Sequence, residues 1–278
     1  KGTSQKSVHR AAKAIEQRIE HLKEVEAVQE ESQIVFRQSK TVELYNKFPI
    51  MADQLTLQVK ENVLLNKTSF QLPLGKKIAI TGANGVGKST LLHHISNNGA
   101  GLTISPKTKI GYFRQMSDRF TSDETVLEFV KSHSEYDEGF LRSVLHAMQF
   151  VDTDIQKNVQ SLSGGEMIRL QLCQLFLGEY NILLLDEPTN DLDIDTLTIL
   201  EDYLHSFPGA VITVSHDRYF LDKVAEKLLI FEGNAQIRSY YGSINDYLRE
   251  SSSEEQLKMI AKKEMIQIVE PKKEKQKL

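Results

Sequence analysis

The residues of this chain best suited to chemistry begin with "GANGVGKS", that is Gly82, Ala83, Asn84, Gly85, Val86, Gly87, Lys88 and Ser89, followed by Thr90. Glycines let such a loop wrap an anion with backbone N–H groups, a lysine adds a point charge, and a serine hydroxyl can ligate Mg²⁺. That chemistry is the holding of nucleotide phosphates. A mere glycine turn before a helix gives no reason for Lys88 and Ser89 to follow. A second candidate is "ILLLDEP", an apolar run ending in Asp186 and Glu187. At the carboxyl end of a strand, Asp186 suits a Mg²⁺ shell and Glu187 suits polarising a water for attack on a terminal phosphate. Paired acids there also serve as helix caps. His216 ends "GAVITVSH" and Gln115 ends "GYFRQ". The histidine can bind the terminal phosphate and orient a water, or be structural; the glutamine can reach the metal or the water. A second anion-binding pattern, "LSGGE", places Ser163, Gly164, Gly165 and Glu166 at the start of a helical stretch, where N–H groups are unpaired. No lysine accompanies it, so it serves a different phosphate from the first.

Positioning these groups requires strands that end together. "LTLQV", "KKIAITG", "KIGYF", "NILLLDE", "GAVITVS" and "KLLIF" read as strands, and "KSTLLHHI", "GEMIRLQLCQLFL" and "DIDTLTILEDYLHSF" as helices between them. Parallel strands with crossover helices are the economical arrangement, so the fold class is α/β over residues 49–250. Residues 1–48 lack glycine after Gly2, and Ile15, Ile19, Leu22 and Val25 recur at helical spacing. Lys6, Arg10, Lys13 and Arg18 give that helix a basic face, either solvated or in contact with nucleic-acid phosphate. Residues 251–278 are polar and lysine-rich, a charged tail. The formal net charge of −4 argues against a uniformly basic nucleic-acid-binding surface. No apolar run approaches the roughly 20 residues of a membrane span. The single cysteine, Cys173, forms no internal disulfide and reads as a core thiol in a cytoplasmic protein. The start at Lys1 reads as the edge of an excised piece.

The linear order of the motifs carries more than any one of them. The Walker A loop, then Gln115, "LSGGE", "LLLDEP", "NDLD" and "SHD" resembles the order in an ATP-binding-cassette nucleotide-binding domain with its helical subdomain, over about residues 49–249. The resemblance implies ATP and Mg²⁺ as cofactors, Glu187, His216 and Gln115 as catalytic, and Ser89, Gln115 and Asp186 on the metal side. It implies that Ser163, Gly164, Gly165 and Glu166 serve ATP held by an opposing cassette, and that Asp191 couples the two sites. One Walker A loop with one signature then completes no site alone; a second cassette is required, from a missing first half or a second copy.

"LSGGEMIRLQLCQLFL", "DEPTNDLDIDTLTILEDYL", "SHDRYFLDKVAEKLLIFEG" and the terminal "YYGSINDYLRE" are similar to the ABC-F class of twin-cassette ATPases that act on ribosomes. Their wording resembles the Gram-positive antibiotic-resistance branch, which protects ribosomes from lincosamides, streptogramins A and pleuromutilins. By that resemblance residues 1–48 are the returning arm of an interdomain linker, its basic face meeting rRNA or tRNA. Housekeeping ABC-F translation factors share these motifs. A transporter ATPase subunit and a module that clamps ATP without turnover are the other readings; the basic arm counts against the first, and Glu187 with His216 against the second. The family's aromatic base-stacking residue has no plain counterpart in "LTLQVKENV", which leaves Phe48 and Phe70 as substitutes.

Overall fold

A computed structural model describes residues 46–114 and 120–252. The basic helix expected before residue 46, Gln115, and the tail beyond residue 252 lie outside the described residues. The apolar runs become strands where expected. β1 (Ile50–Val59) contains "LTLQV", and β3 (Lys77–Thr81), β5 (Ile110–Arg114), β6 (Ile182–Asp186), β7 (Ala210–Val214) and β8 (Lys227–Phe231) follow the other five. Three further strands were not foreseen: β2 (Asn62–Leu72), β4 (Leu102–Ile104) and β9 (Ile237–Tyr241). Alternation in β2 is broken where its pairing with β1 shifts register and Lys67 takes a φ of 48°, which hides the strand from a period-two reading.

The strands form two sheets. A six-stranded sheet runs β5-β6-β7-β3-β8-β9, parallel except for β9 at its edge, and an antiparallel sheet runs β2-β1-β4. Strands β6, β7 and β8 are buried throughout, as parallel strands covered on both faces must be. Their alternate side chains feed two cores. Ile78, Ile80, Leu184, Ile212 and Leu229 meet helix α1 (Lys88–Ser96) and the antiparallel sheet. Ala79, Leu183, Leu185, Val211 and Leu228 meet α4 (Gly164–Leu177), α5 (Ile194–Ser206) and α6 (Arg218–Val224) on the other face. Helices α2 (Val126–Ser132) and α3 (Glu138–Ala147) join that second core, forming with α4 a helical subdomain whose sequence carried weaker signals. Residues 244–252 are helical.

The helix starts from α2 to α6 each have a local cause. Thr125 and Ser163 cap α2 and α4 in reciprocal capping boxes with Glu128 and Glu166, while Asp137, Asp193 and Asp217 cap α3, α5 and α6. Cys173 is buried, and loss of solvation pushes its thiol well above the usual range, so it is a core residue.

Candidate functional site

Strands β6, β7 and β3 are neighbours and parallel, so the loops that follow them leave the sheet at one end, side by side. This is where open α/β sheets hold ligands. After β3 the chain turns through Gly82 (φ 144°), Gly85 (φ 77°) and Gly87 (φ 106°) into α1. Two of these glycines are enforced by packing as well as by φ. A Cβ on Gly82 would lie 2.9 Å from Cβ of Phe231, and one on Gly87 would lie 2.8 Å from Cδ1 of Leu64. Lys88 is buried and its ammonium donates to the carbonyls of Gly82 (3.0 Å) and Ala83 (2.9 Å). Desolvation lowers its pKa, against the pull of Glu187 and Asp186. The group sits poised to exchange those carbonyls for phosphate oxygens.

After β6, the Ser89 hydroxyl donates to Asp186 Oδ1 at 2.8 Å across 97 residues of sequence. Asp186 is buried and is therefore not a helix cap, that role falling to Asp193. Tyr112 on β5 also hydrogen-bonds Asp186, and burial beside that carboxylate pushes its phenol up to about 12. Glu187 follows in left-handed backbone, φ 51°, which turns its side chain away from the direction of Asp186. Its N–H donates to the Val214 carbonyl at 2.8 Å. Its carboxylate accepts the His216 N–H at 3.2 Å through Oε2 and lies 3.4 Å from the His216 imidazole through Oε1. Thr189 and Ser215 hydroxyls, 2.9 Å apart, tie the two loops together. Among the described residues no group of three or more His, Cys, Asp or Glu is placed to hold a metal. The Ser89–Asp186 pair supplies few, hard oxygen donors, which fits Mg²⁺ completing its shell with phosphate and water.

A cavity of about 380 Å³ lies over this loop, lined by Asn84, Gly85, Gly87, Lys88, Ser89, Thr90, Glu187 and His216, with Val59, Asn62 and Leu64 of the β1–β2 hairpin as its far wall. Neither expected aromatic lines it. Phe70 is buried in the core behind the hairpin because its register turns it inward, and half-buried Phe48 lies under the Lys47 ammonium. The sequence reading missed Tyr112, Val59, Asn62 and Leu64. Only Tyr112 carried a signal, as a polar ring between apolar neighbours in a strand-like run.

The second motif lies elsewhere. Ser163, Gly164, Gly165, Glu166 and Asp191 do not line that cavity. Ser163, Gly164 and Gly165 are exposed, and a Cβ added to either glycine would meet nothing within 4 Å. No packing among the described residues calls for glycine there. The Ser163 hydroxyl donates to Glu166 Oε2 (2.7 Å), as does the Ser163 N–H (2.8 Å), and Lys157 pairs with the other carboxylate oxygen at 2.8 Å. Asp191, φ 60°, sits in the turn before α5, whose capping Asp193 is 3.5 Å from Arg169 of α4. Gln115 falls outside the described residues, next after β5, whose last residue Arg114 pairs in register with Asp186.

Comparison with known proteins agrees with this geometry. A family model described as "ABC transporter" matches residues 65–190. Erythromycin resistance ATP-binding protein MsrA of Staphylococcus epidermidis is 40% identical over 227 residues, 82% of this chain and 46% of that protein. Energy-dependent translational throttle protein EttA of Haemophilus influenzae is 36% identical over 207 residues, 71% of this chain and 37% of that protein. The chain thus spans less than half the length of either relative. The solved structure of a bacterial Atm1-family ABC exporter with ATP bound matches with a TM-score of 0.62 over 77% of this chain and 42% of that one, at 17% identity, a likeness of fold alone. No helix among the described residues is long and apolar enough to cross a membrane. The chain carries an ATPase domain of the ATP-binding-cassette family and belongs to its ABC-F class.

Proposed function

We propose that this cassette binds ATP with Mg²⁺ and hydrolyses it, and that ATP closes it against a second cassette to stabilise a ribosome-bound form that hydrolysis releases. The observation that carries the reading is the meeting of Lys88, the Ser89–Asp186 pair and the Glu187–His216 pair at the ends of adjacent parallel strands. Loop N–H groups from Gly82 to Thr90 and the Lys88 ammonium hold the phosphates. Ser89 and Asp186, with Gln115, would hold the metal, and it would supply neutralisation of the phosphate charge. Glu187 orients and deprotonates the attacking water, while His216 braces Glu187 and reaches the terminal phosphate.

Ser163, Gly164 and Gly165 form the half-site for ATP on the opposing cassette; open glycines on a helix N-terminus allow a phosphate to approach the backbone closely. Asp191, in the turn before α5, links the two sites. The second cassette is either the other half of a longer chain or a second copy. One relative is named for erythromycin resistance and one as a translational throttle, and the reading proposed here for this chain, action on the ribosome, accommodates both names. On this reading the protein is cytoplasmic, residues 1–48 form a linker arm touching rRNA or tRNA, residues 251–278 are a charged tail, and the outcome is antibiotic resistance by ribosome protection. The similarity to EttA favours a second reading, a housekeeping translation factor. ATP drives either only through a difference in ribosome affinity between open and closed forms.

The test is co-sedimentation of the full-length Glu187→Gln protein with 70S ribosomes, with and without ATP. ATP-dependent binding supports the proposal, and relief by the protein of drug-inhibited translation separates resistance from a housekeeping role. Retained nucleotide binding without ribosome binding overturns the ribosomal part alone.

A further inference from the structure

We propose that the nucleobase subsite of this cassette is an aliphatic shelf formed by Val59 and Leu64, with Asn62 at its edge, and that it accepts nucleoside triphosphates with little regard to base. The inference rests on the reading that the triphosphate lies along Gly82–Thr90. With the phosphates at the loop, the wall left for ribose and base is the β1–β2 hairpin. That wall is held in fixed relation to the loop. Leu64 sits against Gly87 so closely that a Cβ there would overlap it, and Val59 pairs in register with Asn62 across a tight turn in which Lys60 takes φ 54°. Val59 is 44% exposed, its side chain free to meet a flat ring.

The chemistry of the shelf then sets the selectivity. No described residue lining the cavity is Phe, Tyr or Trp, and Phe70 is only 6% exposed. The one aromatic ring among those described lining residues, the His216 imidazole, lies against Glu187 rather than on the hairpin wall. Stacking on an aromatic ring strengthens binding by about five- to a hundredfold per base, and branched aliphatic groups supply less of it. Discrimination between bases needs fixed donors and acceptors that are left unpaired by the wrong ring. The polar group on this wall is the Asn62 carboxamide, exposed, carrying both donor and acceptor, and free to turn to either pattern. Affinity therefore comes from triphosphate, ribose and metal, which all nucleoside triphosphates share.

The test uses the full-length protein with Mg²⁺ and fluorescent N-methylanthraniloyl-ATP as probe, displaced in turn by ATP, GTP, CTP and UTP. Only the signal lost in the Lys88→Ala variant is assigned to this site. The expected result is four affinities within about fivefold of one another, and tightening by about fivefold or more for ATP in the Val59→Tyr variant. Preference for ATP of more than about thirtyfold over the other three overturns the inference, as does an unchanged ATP affinity in the Val59→Tyr variant. A probe signal that Lys88→Ala leaves intact overturns the underlying phosphate assignment instead. The selectivity series on the unaltered protein stands whether or not the Val59 variant folds.

Discussion

Replacing Gly87 by alanine tests whether the hairpin and the phosphate loop act as one body. Gly87 has φ 106° and ψ 19°, a region that L residues rarely adopt, and a Cβ there meets Leu64 at 2.8 Å from Cδ1 and 3.1 Å from Cβ. The backbone strain is about 1–3 kcal/mol and the overlap adds about 1–3 kcal/mol. The loop relieves both by shifting, which moves its N–H groups and Lys88 off the phosphates. Even 2 kcal/mol expressed as lost nucleotide binding is about thirtyfold in affinity. Leu64→Ala in the same chain removes the closest overlap, with the δ and γ carbons, while leaving the Cβ contact at 3.1 Å and the φ strain. The double variant should therefore bind about five- to tenfold more tightly than Gly87→Ala alone, a coupling of about 1 kcal/mol or more. Displacement titrations of the four proteins, with denaturant unfolding of each, measure the cycle. Effects that add within about 0.5 kcal/mol would refute the account of Gly87 as a contact between hairpin and loop.

Two further substitutions probe neighbouring contacts. Glu166 has its carboxyl depressed to about 2, chiefly by the hydrogen bond from Lys157 and then by the Ser163 hydroxyl and N–H. A depressed acid stabilises the fold above its unfolded value of 4.5 and loses that contribution as pH falls from there through about 2. Screened at the surface, the contribution is about 1 kcal/mol, so Glu166→Gln should lower stability at neutral pH by that amount, with the gap to the unaltered protein closing in acid. Unfolding curves that keep a constant gap below pH 4.5 would reject this. Tyr112→Phe removes one hydroxyl donor from Asp186 while keeping the ring, and should raise the Mg²⁺ concentration needed for half-maximal nucleotide binding by about threefold, leaving metal-free binding unchanged. Equal Mg²⁺ dependence in titrations of the two proteins would show that the phenol only fills space.

Much of the site could be read from the chain because its parts are local. Three glycines before Lys88, acids directly after an all-apolar run, and Ser163 three residues before Glu166 each state a backbone requirement within a few residues. Buried parallel strands are also plain in sequence, since both of their faces must be apolar. The signals fade where partners are distant or a strand is irregular. β2 is broken by its register shift, and β9 is an edge strand with exposed Arg238 and Ser239 among its residues. Phe70, one of the two substitutes offered for a base-stacking ring, turns into the core for the same reason: which way a strand residue points depends on pairing with β1, and sequence proximity to the hairpin carries no such information.

By itself, then, the amino-acid sequence determined the class of chemistry and pointed to most of the groups that the fold brings together at the candidate site, because phosphate loops, caps and buried strands are encoded by neighbouring residues. Tertiary structure decided the rest. Sheet order brings Ser89 to Asp186 and His216 to Glu187, pairs separated by 97 and 29 residues. It leaves the second glycine motif outside the cavity and makes an aliphatic hairpin the far wall. Contacts of that kind come from the burial of two cores against one twisted sheet, a collective effect that no short stretch of sequence contains.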